Sequence, residues 1–196
     1  MIVRRAKALS LAAAALVALM TSCRSAPTRL FTLAPIAAAS AIPPYAGPAL
    51  RLDSVHIPPS LDRIEITTEI VPGELKISDL EHWAAPLGQL VRQTLTVDLM
   101  VRLPEGRVIS PHLAESQGAI SVSVDILAFS ANERGSRLEV NWIVTSDDSN
   151  PGTAGHTVLF QDDTPTAGAI ATARTLSKML GQLADRITED LVAGEL

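Results

Sequence analysis

"AISVSVDILAFSANERGSRLEVNWIV", residues 119–144, decides the reading of the fold. Its first half puts Ile120, Val122, Val124 and Ile126 at every second position, with Ser121, Ser123 and Asp125 between them. Successive side chains of a strand point to opposite faces, so Ala119 to Phe129 reads as a strand with one apolar and one polar face. Leu138, Val140, Trp142 and Val144 repeat the alternation, and Asn132-Glu133-Arg134-Gly135-Ser136 between the two runs is a turn. The pair is expected to form an antiparallel hairpin with Trp142 on the buried face. Such a face needs a cover. Downstream, Ile170, Ala173, Leu176, Leu180, Leu183, Ile187 and Leu191 recur every three or four residues. Thr164-Pro165-Thr166 precedes them, and Thr caps well while Pro is tolerated in a first turn. A long amphipathic helix packed on the sheet is expected.

Further strands are expected at Leu30–Leu33, Leu50–Ile57, Ile64–Ile70, Glu74–Ile77, Arg107–Ile109 and His156–Phe160. Ile64, Ile66, Thr68 and Ile70 share one face of the third of these. Pro58-Pro59 and Pro72-Gly73 mark turns, and Asp147 to Gly155 is a polar loop. Ala34 to Pro48 is a low-complexity Ala/Pro run that opposes both helix and central strand. Ser78-Asp79-Leu80-Glu81 has the spacing of a capping box, so a helix is expected from Ser78, carrying Leu80, Trp83, Leu87, Leu90, Val91 and Leu95 on one side. Pro86 would kink it or split off its first turn. The sum is about seven strands and two or three helices. This is a single α+β (mixed α/β) domain with a mixed or antiparallel sheet.

The front of the chain is different. Arg4, Arg5 and Lys7 precede an uncharged apolar run, Ala8 to Met20, that is too short to span a bilayer. This is the pattern of an export signal. Cys23 is the only cysteine, so an exported form has no internal disulfide. Leu19-Met20-Thr21-Ser22-Cys23 resembles the lipobox of bacterial lipoproteins, although Met20 stands where Leu is usual. The resemblance implies diacylglycerol on the Cys23 sulfur, cleavage before it, and acylation of the new amine. Residues 1–22 are then the signal peptide and residues 23–29 a lipidated N-terminus and tether, which holds the domain of residues 30–196 close to a membrane. Arg24 is not the Asp that retains lipoproteins in the inner membrane of enteric bacteria, which implies the outer membrane. Losing Arg4, Arg5 and Lys7 shifts the net charge from −5 to −8. Acidic chains suit neither nucleic acid nor anionic lipid, because both are bound by Lys and Arg.

Chemistry-bearing patterns are sparse. His56, His82, His112 and His156 are scattered, and no metal-ligand spacing links them. There is no nucleophile-elbow, phosphate-loop or dinucleotide motif. Asp147-Asp148 and Asp162-Asp163 read as solvated turns rather than calcium loops. No catalytic residue, metal or cofactor is expected, and the chain is read as not an enzyme.

Four stretches stand in order along the chain: Leu30-Phe31-Thr32-Leu33; Val55 to Arg63, "VHIPPSLDR"; Glu81 to Leu87, "EHWAAPL"; and Val140-Asn141-Trp142. Together they resemble the PqiC (YmbA) family of ABC-type transport auxiliary lipoproteins. Phe31 replaces an aromatic pair and Ser60 stands where Tyr is common. The resemblance implies an outer-membrane lipoprotein on the periplasmic face. It would dock an MCE-domain periplasmic protein and its inner-membrane transporter, as a ring-shaped homo-oligomer. A stand-alone lipid- or hydrophobe-binding lipoprotein is the alternative, and a periplasmic hydrolase a weaker one. Trp83, Leu87 and Trp142 are expected in the core. Leu61, Asp62 and Arg63 either fix the turn after Pro58-Pro59 or sit at an interface, and both readings stay open.

Overall fold

The computed structural model describes residues 26–38, 44–71, 73–109, 118–146 and 153–194. Within them the elements are β1 (Arg29–Phe31), β2 (Leu50–His56), β3 (Glu65–Val71), β4 (Glu74–Trp83), α1 (Leu87–Met100), β5 (Val108–Ile109), β6 (Ile120–Asn132), β7 (Gly135–Ser146), β8 (Thr153–Asp162) and α2 (Gly168–Ala193). The fold is α+β, with eight strands in two mixed sheets and two helices among the described residues. The signal segment, Cys23, His112 and Asp147-Asp148 lie outside them.

The alternating stretch forms the centre of the larger sheet. β6 pairs antiparallel with β7 from Asn132↔Gly135 to Ile120↔Ser146. All eight alternating apolar residues are buried, which fixes the register, because a slip of one residue would turn every one of them to solvent. β8 adds to β7 without a bulge. On the other side β2 joins β6 in parallel and β5 joins β2 in parallel, giving the order β5-β2-β6-β7-β8. The parallel β2–β6 pair needs a crossover, and β3, β4, α1 and β5 lie within it. α1 packs on β2 and on α2, while α2 also reaches β1, β6 and β7. Ala173, Leu176, Leu180, Leu183, Ile187 and Leu191 of α2 are buried as their spacing predicts, but Ile170 is exposed.

The smaller sheet, β1-β4-β3, departs most from expectation. Ser78 starts no helix. Glu74 to Trp83 is one ten-residue strand, paired parallel with β1 and antiparallel with β3. The Ser78 hydroxyl still accepts the Glu81 amide at 3.2 Å, as it would in a capping box, but here the bond lies where the β3–β4 register shifts between Glu65 and Thr67. Two neighbouring strands override the local helix signal. Pro86 therefore kinks nothing: it is the N-cap residue of α1, extended at φ −49° and ψ 136°. Of the expected β3 face only Ile66 is buried, while Ile64 and Ile70 are exposed. α2 starts at Gly168 rather than at Thr164. Thr166 instead closes the β6–β7 end, its amide donating to Asn132 O and its hydroxyl meeting that of Ser136 at 2.8 Å.

Candidate functional site

The "VHIPPSLDR" and "EHWAAPL" stretches meet at one joint. After β2 the chain turns back, and the amides of Leu61 and Asp62 both donate to Pro58 O at 2.8 and 3.0 Å. This turn seats Leu61 in the core and aims Asp62 at the start of α1. Asp62 Oδ1 accepts the Gly88 amide at 2.8 Å. The first amides of a helix have no intrahelical acceptor, and a carboxylate there also opposes the helix dipole. Asp62 is thus an N-terminal cap supplied from 26 residues away. A Cβ on Gly88 would lie 3.2 Å from Asp62 Oδ1, so glycine allows the close approach. Pro86 O accepts Gln89 and Leu90 amides and continues the same helix start.

Arg63 Nε reaches Glu65 Oε2 at 3.2 Å, and this hydrogen bond holds the Glu65 carboxyl below its ordinary value. Trp83 is 4% exposed, and its backbone amide donates to Ile64 O at 2.6 Å. Leu87 is buried beside them in the same core. Leu61, Asp62, Arg63, Trp83, Pro86 and Leu87 therefore gather where the small sheet, the turn and α1 join. Trp142 lies elsewhere, on β7. Its ring stacks on that of His156 at 5.1 Å and 7°. His156 Nδ1 lies 3.3 Å from Asp190 Oδ2 on α2, and Arg186 approaches the other Asp190 oxygen at 3.4 Å.

A second joint was not read from the sequence. Arg102 and Asp98 are both buried, and Arg102 Nε binds Asp185 Oδ1 of α2 at 2.6 Å. Together they grip the segment after β1: Asp98 Oδ1 accepts the Ile36 amide at 2.7 Å, and Arg102 Nη1 donates to Ile36 O at 2.9 Å. The Ala34 amide donates to Ser177 Oγ at 3.1 Å. Burial pushes the Asp98 carboxyl up to about 6, against the Ile36 hydrogen bond and the Arg102 charge. The signal was present, since Asp98 falls on the apolar stripe of α1 beside Val91, Leu95 and Leu99. The joint ties the segment following β1 to both helices.

The described residues also present open surfaces. A groove of about 600 Å³ lies between the β3–β4 hairpin and the N-terminus of α2, with Ile66, Ile70, Lys76 and Arg134 in its wall. The hairpin end itself exposes Ile70, Val71, Leu75 and Ile77. Asp162 binds Lys178 Nζ at 2.8 Å and accepts the Thr164 amide at 3.0 Å. Among the described residues no group of three or more His, Cys, Asp and Glu is placed to hold a metal, and no helix is long and apolar enough to cross a membrane.

The family model for the ABC-type transport auxiliary lipoprotein component matches residues 31–188. The chain belongs to that family. The matched span takes in both joints and most of α2. Two solved structures share the fold of this chain. A Xanthomonas campestris protein of the DUF330 family is 16% identical, covering 85% of this chain and 97% of that chain, with a TM-score of 0.67. A second protein, described as uncharacterized, is 17% identical, covering 85% and 99%, with a TM-score of 0.62. None of the curated proteins compared matches this chain.

Proposed function

We propose that the chain is anchored through acylated Cys23 on the periplasmic face of the outer membrane. There it serves as the docking component of an MCE-type intermembrane lipid transport system. Its partners are an MCE-domain periplasmic protein and that protein's inner-membrane transporter, and it works as a homo-oligomeric ring without catalysing a reaction. The observation that carries this reading is the match of residues 31–188 to a transport auxiliary lipoprotein family, directly behind a lipobox-like Cys23. In this role residues 1–22 are removed, residues 23–29 are the tether, and the two joints hold one rigid domain against it. Covalent chains suit an acidic domain, since each buried methylene contributes about 0.8 kcal/mol and more than one chain makes attachment stable.

The groove of about 600 Å³ favours a second reading, in which the domain also takes up a hydrophobe itself. The test of the first is fractionation of cell envelopes. Wild-type chain is expected with the outer membrane, and the Cys23→Ala chain in the soluble periplasm or uncleaved in the inner membrane. An unchanged distribution of the Cys23→Ala chain would reject the anchor.

A further inference from the structure

The direction in which the chain enters β1 bears on how the domain meets its membrane. β1 runs parallel to β4, with Arg29 opposite Glu81 and Phe31 opposite Trp83. Followed backwards from Arg29, the line of β1 leads along β4 towards Glu74 and the β3–β4 turn at Gly73. Cys23 lies six residues before Arg29, and on β3 six residues separate Glu65, paired beside Glu81, from Val71 at the turn. An extended stretch of that length reaches about 20 Å. The tether is therefore just long enough to bring Cys23 level with the hairpin end.

That end is apolar. Ile70, Val71, Leu75 and Ile77 are 43–48% exposed and flank the turn, with Leu75 and Ile77 on the face of Thr67 and Glu69 and Ile70 on the opposite face with Thr68 and Lys76. Single exposed apolar side chains are ordinary, but several gathered at one hairpin end, on both of its faces, suit an apolar environment that surrounds the end. The hairpin is also braced: Asn132 Nδ2 donates to Glu69 O at 3.1 Å and Arg134 Nη2 to Ile70 O at 3.3 Å, joining it to the larger sheet.

We propose that the hairpin end formed by Ile70, Val71, Leu75 and Ile77 enters the interfacial layer of the same leaflet that holds the Cys23 acyl chains. The proposal rests on the lipid-anchor reading above. A lipid on a tether fixes distance but not orientation, and a second apolar contact close to it fixes both. Glu69, Glu74 and Glu133 outnumber Lys76 and Arg134 around this end, so the surface suits zwitterionic phospholipid rather than anionic lipid.

The test uses the mature chain from Cys23, with its sulfur coupled to a maleimide phospholipid in phosphatidylethanolamine–phosphatidylcholine vesicles. Hydrogen exchange is compared with the same chain capped by a soluble maleimide. Amides of residues 70–71 and 73–77 should exchange at least about fivefold more slowly on vesicles, with β8 unchanged. The Leu75→Glu/Ile77→Glu chain, equally anchored and altered only at exposed positions, should lose that slowing. Equal exchange on and off vesicles, or slowing that survives the double substitution, overturns the proposal. Slowing without vesicles that grows with protein concentration assigns the patch to a second copy and overturns it too. The chemical linkage makes the result independent of whether cells acylate Cys23, which the mass of the native N-terminus reports separately.

Discussion

Asp62 shows how much a single residue holds in this domain. Its carboxylate caps α1 from a distant turn, so Asp62→Ala removes an acceptor and leaves the Gly88 amide to water. The expected loss is about 1 kcal/mol, within the range found for N-terminal caps, and Asp62→Asn should recover most of it. Urea denaturation of the three chains measures both. Asp98 has the opposite character. Burial raises its carboxyl from 3.8 to about 6, so the folded protein holds the neutral form more tightly than the unfolded chain does. The resulting stabilisation is fully present below pH 4 and is lost as pH rises through 6, an amount of about 3 kcal/mol at 1.36 kcal/mol per unit. Asp98→Asn keeps an acceptor for the Ile36 amide and does not titrate. Between pH 4 and 7 the substituted chain should gain on wild type by up to that amount, and parallel stability profiles would refute the assignment.

At the scale of elements, the small sheet makes contrasting demands on neighbouring residues. Ile66 is buried whereas Ile77 is exposed on the same hairpin. Ile66→Ala should cost about 2–5 kcal/mol through lost burial and a cavity. Ile77→Ser should stay within about 0.5 kcal/mol of wild type, as exposed substitutions do. Denaturation midpoints compare the two. The same hairpin explains which elements were legible in the sequence. β6 and β7 could be read because each buries one complete face, so period and burial coincide from Ile120 to Ile126 and from Leu138 to Val144. β3 and β4 bury little, and their pattern carried less information. Ser78 and Glu81 then suggested a helix, because a capping box is a local signal and the strands that outvote it, β1 and β3, lie about 50 and 10 residues away. The Asp62 cap and the Arg102 joint escaped for a related reason. Each is a contact between segments far apart in the chain, and spacing within one segment says nothing about it.

At the scale of the whole molecule, two joints tie the N-terminal part of the described domain to its helices. The turn-to-α1 joint fixes the small sheet to the helices, and the Asp98–Arg102–Asp185 joint fixes the segment after β1 to the same helices. The PqiC-like motif residues Leu61, Trp83, Leu87 and Trp142 are buried in this frame, so a partner surface has to use residues outside them. Replacing Trp83 with Ala should accordingly unfold the domain, by about 3–5 kcal/mol, rather than weaken a contact in a folded one, which circular dichroism of the substituted chain decides. The central claim, an anchored docking component, is tested most directly on native protein. Cell envelopes are cross-linked, the chain is purified in mild detergent, and the complex is examined by mass spectrometry. The account predicts a chain that begins at tri-acylated Cys23, is present in several copies, and carries an MCE-domain protein with it. An unmodified monomer that starts elsewhere and has no such partner would contradict it.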